Sequence, residues 1–375
     1  MNWVMIMEKS DAKQKITLSQ LGYIYIQSQI GVDILNLSTV LHKAAGPDGW
    51  IPLLIGGFIS IIFVLMMMHI SKCYPGEGLF EVLKSSFGKV LGRAAQIGYY
   101  VYFLVVAIYL LTSYGELINQ WLLPETPIIV LYALLVISAL YTISGGLTLI
   151  AKVFTFFSVI LFLLSALFLF GFVDAKFIYL LPIGQAPFSA YIEGIRVTIY
   201  SLSSYVLLLL FVPYTKGSHK QKIRTVLGAN LIVNFFYLYT VIVSFAHFGS
   251  DQIEHISQPV LYMLRTADSV IITRIDIFVL AMWTVFAMTA FASYLYAAER
   301  AFANIPKSKK KMLIVYAASF IVIAVSYWGG LNEKNLGHII DFQDKITDYF
   351  TMYIPTLLFL LSFLRRKDKP KGAAQ

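Results

Sequence analysis

The sequence predicts an all-α integral membrane protein with about ten transmembrane helices, arranged as two inverted repeats of five in which helices one and six are broken. The first supporting observation is composition: 58% of the 375 side chains are hydrophobic and 13% are charged, whereas soluble domains carry about 25% charge. Second, ten apolar segments are long enough to cross a bilayer. Third, polar residues interrupt the first and the sixth of these segments.

Each apolar segment approaches the 20 or so residues that a bilayer crossing requires. Numbered here as spans one to ten, the segments run over 17–42, 50–71, 93–121, 126–145, 151–173, 191–213, 226–248, 271–298, 311–329 and 347–364. The predicted domains are a cytoplasmic N-terminal tail over 1–15, a single transmembrane domain over 16–364 and a basic cytoplasmic tail over 365–375. Repeat one covers about 16–173 and repeat two about 191–364.

Basic residues give the orientation of the spans. An even number of spans places both termini on one side, and with that side cytoplasmic most of the 29 lysines and arginines fall on inner segments. This is the distribution that the positive-inside rule describes. The basic runs at 309–311 and 365–367 then mark anchors beside anionic lipid. The lipid bilayer is therefore an expected partner, and nucleic acid is not.

The sequence offers no set of residues for catalysis. Its six histidines lie scattered near span ends, without the His-Glu-x-x-His spacing of a zinc site. Neither a Gly-x-Ser-x-Gly elbow nor a phosphate-binding glycine loop is present. The single cysteine, Cys73, excludes an internal disulfide and a multi-thiolate metal site. We therefore expect no catalytic residues, no metal, no cofactor and no enzymatic activity.

Span one carries the most informative irregularity. Residues 27–36 include two glutamines, a serine, Gly31, Asp33 and an asparagine. A charged group at mid-depth of a lipid-facing helix costs about 2.5–3.5 kcal/mol on insertion scales. A broken helix whose free backbone groups line a cavity avoids that cost, and amides at the start of its outer half would attract an anion such as an amino-acid carboxylate. The alternative is a polar helix packed inside the bundle without a ligand.

Span six has a second interruption. Tyr200, Ser201, Ser203, Ser204 and Tyr205 cluster at mid-membrane, where their hydroxyls can replace lost backbone hydrogen bonds. Serines in membrane helices also serve simply as close-packing residues between helices. Interruptions at positions one and six of ten favour inverted repeats with a midplane site between them.

Short motifs follow one another along the chain in an order that resembles a known family. They are the Gly31 break, Gly-Pro-Asp-Gly-Trp-Ile at 46–51, Tyr-Pro at 74–75, Leu-Phe-Glu at 79–81, Gly-Lys at 88–89, Leu-Leu-Pro-Glu-Thr-Pro at 122–127, Gly-Gly-Leu at 145–147 with Lys152, Phe-Val-Pro at 211–213, and Asp276 with Trp283. On these residues the chain resembles the B subunit of bacterial spore germinant receptors. That subunit belongs to the endospore germination permease family, within the amino acid–polyamine–organocation superfamily.

The resemblance implies a fold like that of leucine-type sodium symporters, with a ligand site built from spans one, three, six and eight. Family members sense small nutrients, usually amino acids, in the inner membrane of dormant spores, alongside an A subunit and a lipoprotein C subunit. Carried onto this chain, the ligand-binding residues would be Gln29, Ile30, Gly31, Val32, Asp33, Tyr102, Val106, Ser201, Ser203, Ser204, Tyr205, Thr284, Met288 and Thr289.

Two positions depart from the family pattern. Gly-Val-Asp at 31–33 stands where relatives commonly have Gly-x-Gly, and Tyr-Val-Leu at 205–207 stands where many have Gly-x-Glu. One broken helix has thus gained an acid that the other has lost. We hypothesise that Asp33 replaces the missing carboxylate of span six as the partner of a ligand ammonium or a coupling cation.

The sequence also predicts two short helices and one ion pair outside the breaks. Residues 249–270 predict a short outer helix that lies over the site as a gate. Residues 78–84 predict a connecting helix at the inner membrane interface. Glu193 and Arg196 are three residues apart and are expected to pair on one helix face.

Two functions remain open from the sequence. The first is a nutrient sensor, in which ligand binding shifts populations within a receptor complex. The second is a secondary active permease that carries an amino acid together with a proton or a sodium ion. The predicted fold permits both functions, and the family resemblance favours the sensor.

Overall fold

The computed structural model describes residues 15–172, 175–266, 274–302 and 309–365. Each predicted span corresponds to a helix or to a broken pair of helices within these residues. Among the described residues, six helices are long and apolar enough to cross a membrane, or seven when the bent pair of span six is counted as one. The helices of spans four and nine are apolar but shorter. Most of the predicted N-terminal tail, the C-terminal tail beyond Arg365 and the start of predicted span eight lie outside the described residues.

The first repeat contains five spans, of which the first is interrupted. Its helices are Leu18–Gln29 and Leu37–Ala45 in span one, Trp50–Cys73 in span two, Leu79–Trp121 in span three, Ile128–Ser144 in span four and Gly146–Leu167 in span five. The chain leaves the helix at Gly46, which has a φ of 57°, and a 3₁₀ turn at Gly46–Gly49 joins spans one and two. Span five begins two residues after the end of span four, at Gly146, which adopts a left-handed φ of 65°.

The second repeat has the same plan. Its helices are Phe188–Ser201 and Leu208–Phe211 in span six, His219–His247 in span seven, Ile275–Arg300 in span eight, Lys309–Gly329 in span nine, and Glu333–Asp348 with Ile354–Arg365 in span ten. The two helices of span ten are joined by a π-helical turn, Tyr349–Tyr353. Span ten therefore begins before residue 347, where the sequence predicts its start. The prediction began too late because the first helix of the span is rich in charged residues and lacks the apolar signature of a span.

Local sequence signals explain where two of these helices begin. Thr17 Oγ1 accepts a hydrogen bond from the Gln20 amide, and Gln20 Oε1 accepts one from the Thr17 amide, so the pair forms a capping box. Ser218 and Gln221 form the same motif at the start of span seven. In the described residues, the only β pairing joins Ile16, just before span one, to Thr215, just after span six.

The segment at 78–84 packs its apolar residues into the protein. Leu79 and Leu83 are both 0% exposed, because the segment packs into the protein. It continues into span three through Gly88, whose φ of 78° turns the chain. The apolar face of this segment meets protein, and its position at the membrane interface stays a prediction.

Spans three and eight pack together at the centre of the bundle, and the inner half of span one packs against spans five and seven. Small residues allow close approach, as at Gly115, where an added Cβ would lie 2.1 Å from the Tyr132 ring. This packing places the two helix breaks beside spans three, seven and eight.

Candidate functional site

Span one is broken where the sequence predicts. Its inner helix ends at Gln29, the chain is extended at Gly31, and a 3₁₀ turn at Val32–Leu35 leads into the outer helix. Gly31 has φ −98° and ψ −159°, a conformation open to any residue. The predicted break is confirmed.

Span six is broken at the matching position of the second repeat. Its outer helix ends at Ser201, Leu202 leaves the helix with ψ 18°, and a 3₁₀ turn over Ser203–Leu207 follows. The two parts of the span are bent by 41°. The second predicted break is also confirmed.

The side chain of Gln29 spans the distance between the two breaks. Its Nε2 donates to the Leu202 carbonyl at 3.0 Å and to the Tyr25 hydroxyl at 2.8 Å. Its Oε1 accepts from the Ser204 amide at 3.3 Å. Backbone groups released by the break in span six are therefore satisfied by a residue of span one.

Hydroxyl groups satisfy the carbonyls released by the break in span one. Ser204 Oγ donates to the Ser28 carbonyl at 2.7 Å, and the Tyr237 hydroxyl donates to the Gln29 carbonyl at 2.9 Å. Ser204 Oγ also lies 2.8 Å from the Tyr294 hydroxyl of span eight. A polar cluster thus joins spans one, six, seven and eight where both helices are open.

Span three contributes an aromatic wall to this cluster. Tyr102 is buried, stacks on Phe350 of span ten with ring centroids 5.2 Å apart, and interacts with the Ser203 hydroxyl. Val106, one turn further out on the same helix, is also buried. The structure therefore brings Tyr102, Ser203, Ser204 and the break in span one together.

Other predicted site residues make contacts within the helix bundle. Tyr205 is fully buried, donates to the Thr351 carbonyl at 3.0 Å and stacks on Phe63. Ser201 donates to the carbonyl one turn earlier. Met288 accepts a weak hydrogen bond from Thr142 of span four, with 3.9 Å between sulfur and oxygen. Their assignment to the ligand site stays a prediction.

Span eight presents hydroxyls on two sides. Thr284 donates to the Leu280 carbonyl at 3.1 Å and interacts with Tyr114 of span three. Thr289 is buried and donates to the Phe286 carbonyl at 3.1 Å. Its carbonyl accepts from Ser293, which also lies 2.8 Å from Ser28 of span one.

Asp33 lies on the outer side of the breaks. It is partly exposed, belongs to the 3₁₀ turn that follows Gly31, and accepts a hydrogen bond from Tyr109 of span three. The carboxyl of Asp344 in span ten lies within electrostatic range. Within the described residues, no group of three or more His, Cys, Asp or Glu side chains is arranged to hold a metal ion.

The expected pair between Glu193 and Arg196 is not the one that forms. Arg196 of span six contacts Asp348 of span ten at 3.3 Å, and its Nε donates to the Tyr200 hydroxyl. Arg196 is therefore paired with an acid of another span rather than with one on its own helix.

Comparison with known proteins gives the family. A family profile described as spore germination protein matches residues 15–333, which is most of the chain. The chain belongs to the spore germination protein family. The resemblance carried by the motif series is therefore confirmed at the level of the family.

Several relatives match this spore germination protein along nearly their whole length. Spore germination protein YndE of Bacillus subtilis (strain 168) is 26% identical over 361 residues, which cover 95% of this chain and 98% of the relative. Spore germination protein A2 of the same organism is 24% identical over 375 residues, with 97% and 100% covered. Spore germination protein GerQB of Bacillus cereus is 23% identical over 335 residues, with 89% and 92% covered.

A solved structure shows which fold the spore germination protein has. A Na⁺-coupled sialic acid symporter, solved in a substrate-bound outward-open state, matches with a TM-score of 0.70 at 12% identity. The match covers 98% of this chain and 83% of the symporter. Identity this low establishes the fold alone, and it confirms the predicted transporter-like arrangement with breaks in helices one and six.

An outer helix lies against the break of this spore germination protein. Pro259–Thr266, within the predicted stretch 249–270, contacts the turn Val32–Leu35 and the start of span eight. Thr39 donates to the Ile256 carbonyl at 2.5 Å, and His42 lies 3.5 Å from Glu254. A helix is present within the predicted stretch, and its outer location and its role as a gate stay predictions.

Sequence reasoning missed several members of the polar cluster, namely Tyr25, Tyr109, Tyr237, Ser293 and Tyr294. One signal was available for Ser293, because it follows Thr289 by four residues and so shares its helix face. The tyrosines carried no comparable signal, since the chain contains 24 of them.

Proposed function

We propose that this spore germination protein is a nutrient-sensing membrane subunit of a germination receptor. It would bind a small germinant, an amino acid, at a midplane site between spans one, three, six and eight. The observation that carries the proposal is the pair of helix breaks at matching positions of the two repeats, lined by hydroxyls and non-helical backbone, in a chain of this family. Broken helices of this kind form binding sites in membrane transporters.

Asp33 is proposed as the partner of the ligand ammonium or of a coupling cation. Its partial exposure beside Gly31, together with the nearby Asp344 carboxyl, supports a preference for positive charge on the outer side of the site. Tyr109 holds the carboxylate in place by a hydrogen bond. The backbone at Gly31 and the hydroxyls of Ser203 and Ser204 would supply polar contacts to the rest of the ligand.

The proposed setting is the inner membrane of the spore, with both termini cytoplasmic and with a receptor A subunit and a lipoprotein C subunit as partners. The distribution of basic residues supports this orientation. The outer helix Pro259–Thr266 would close over the bound ligand, since it already contacts the turn Val32–Leu35.

A thermal-shift screen of the purified full chain against the twenty common L-amino acids tests the proposal. Binding to the folded state alone stabilises it by about 2.7 kcal/mol at 100 times Kd, so at least one amino acid should raise the Tm by several degrees. Asp33→Asn should reduce that rise, whereas Asp341→Asn, which changes an exposed acid of span ten, should not. No shift with any amino acid, or equal shifts in all three proteins, would contradict the proposal.

A secondary active permease is the second candidate, and the fold shared with a sodium-coupled symporter favours it. Proteoliposomes that contain this chain alone distinguish the two functions. Uptake of the amino acid identified by thermal shift, above that of empty liposomes and dependent on an ion gradient, would establish the permease. Binding without uptake is the result expected for the sensor.

A further inference from the structure

Gln29 is a predicted ligand contact whose side-chain amide has all of its hydrogen-bonding groups engaged within the protein. The side chain is 2% exposed and lies at the end of the inner helix of span one. Both hydrogens of Nε2 have acceptors, in Tyr25 and Leu202, and Oε1 accepts from Ser204. A glutamine amide offers two donors and a carbonyl acceptor, so little capacity is left for a ligand.

The contact is reciprocated across the two breaks. Gln29 satisfies the carbonyl of Leu202 and the amide of Ser204 in span six. In return, Ser204 Oγ satisfies the carbonyl of Ser28 in span one. Each broken helix therefore supplies the hydrogen-bond partners that the other lost on unwinding.

The backbone of span six has a competing arrangement. In a continuous helix the Ser204 amide would donate to Tyr200, and the Leu202 carbonyl would accept from Val206. Buried backbone groups must have partners, so the open form at Leu202 persists where an outside group replaces those bonds. Gln29 is the side chain that does so for both groups.

We propose that Gln29 is a positioning residue that holds span six open at Leu202 and so couples the two breaks. Its significance for ligand binding rests on the proposed function, but the coupling itself is a property of the chain. Gln29 would shape the site through span six rather than by contacting the ligand. Any movement of the inner helix of span one would then be transmitted to the break in span six.

Hydrogen exchange measured by mass spectrometry on the full chain in lipid nanodiscs tests the coupling without a ligand. In Gln29→Ala, amides over 200–206 should change their exchange rate at least tenfold, slower if the helix rewinds and faster if it frays. Gln29→Glu keeps the acceptor for Ser204 but loses both donors, so it should change the same peptide. Peptides from Ile128–Ser144 in span four should remain within twofold of wild type.

Gln20→Ala is the matched control, because Gln20 is the same residue type in the same helix and only caps its start. It should leave 200–206 unchanged. The proposal is overturned if Gln29→Ala leaves 200–206 within twofold of wild type, or if it alters span four as much as span six. A protein that shows the coupling yet binds no amino acid would contradict the proposed function and leave this inference standing.

Discussion

Gly31 and Gly115 differ in how much space an added Cβ would have. A Cβ at Gly31 would meet its nearest neighbour, Leu110 Cδ2, at an ordinary 3.5 Å, whereas one at Gly115 would lie 2.1 Å from the Tyr132 ring. Gly115 is thus required by packing against span four. Gly31 is required neither by packing nor by its φ, which leaves close approach of a ligand as a reason for glycine.

We predict that Gly31→Ala folds with wild-type stability or up to about 1 kcal/mol more, since the backbone accepts alanine. Its affinity for the amino acid found by thermal shift should fall at least tenfold, because the methyl group occupies the approach to the backbone. Gly115→Ala should lower the free energy of unfolding by about 1–3 kcal/mol through overpacking. Thermal unfolding and amino-acid titration of both variants check the pair, and unchanged affinity in Gly31→Ala would argue against a ligand there.

For Tyr205 we predict the opposite pattern, a loss of stability with little change in amino-acid affinity. Its hydroxyl donates to the Thr351 carbonyl, so Tyr205→Phe leaves a buried acceptor without that donor. The variant should lose about 1–3 kcal/mol of stability and keep its amino-acid affinity within twofold. Isothermal titration alongside thermal unfolding measures both quantities. A large loss of affinity at near-normal stability would instead indicate that Tyr205 contacts the ligand.

At the scale of elements, one carboxylate ties the start of span six to the turn between spans one and two. Asp48 accepts hydrogen bonds from the amides of Gly184 and Gln185, both at 2.8 Å, and from Ala186 and the Tyr191 hydroxyl, both at 3.0 Å. Charge-assisted bonds of this kind are stronger than neutral ones. Asp48 therefore fixes where the outer helix of span six enters the bundle.

Removal of this clamp should loosen span six from its outer end. We predict that Asp48→Ala lowers the free energy of unfolding by about 2–4 kcal/mol, because several donors lose one charged acceptor. Hydrogen exchange over 184–200 should quicken, while that over Gly146–Leu167 should not. Asp251→Ala, at an exposed acid of the outer loop, is the control. Equal exchange in both variants would contradict the clamp.

The elements also show what the sequence could and could not predict. Both breaks were predictable because polar residues and Gly31 are improbable in a lipid-facing helix. The start of span ten was not, because Glu333–Asp348 is charged enough to resemble a loop. The link between Gln29 and Leu202 was also beyond prediction, since it joins residues 173 positions apart whose meeting depends on the packing of the whole bundle.

For the whole molecule, cysteine labelling can test the orientation in the membrane. We predict that a cysteine placed at Asp251 in the outer loop reacts with a membrane-impermeant maleimide in intact cells. A cysteine at Lys220, exposed at the start of span seven, should react only after the membrane is opened. Cys73 is replaced by serine in both proteins. The reverse pattern would overturn the assignment of both termini to the cytoplasm.

Synthesis and membrane insertion of the protein are affected by the hydrogen bonds that join the two breaks. These bonds link Gln29 and Ser28 of span one to Leu202 and Ser204 of span six. Span one leaves the ribosome 173 residues ahead of Leu202, which at about 5–20 residues per second amounts to roughly 10–35 seconds. Throughout that interval the Gln29 side chain lacks its two partners in span six, the Leu202 carbonyl and the Ser204 amide. Water or the insertion machinery must accommodate the unpaired groups during that time, so repeat one reaches its final structure only after span six has been synthesised.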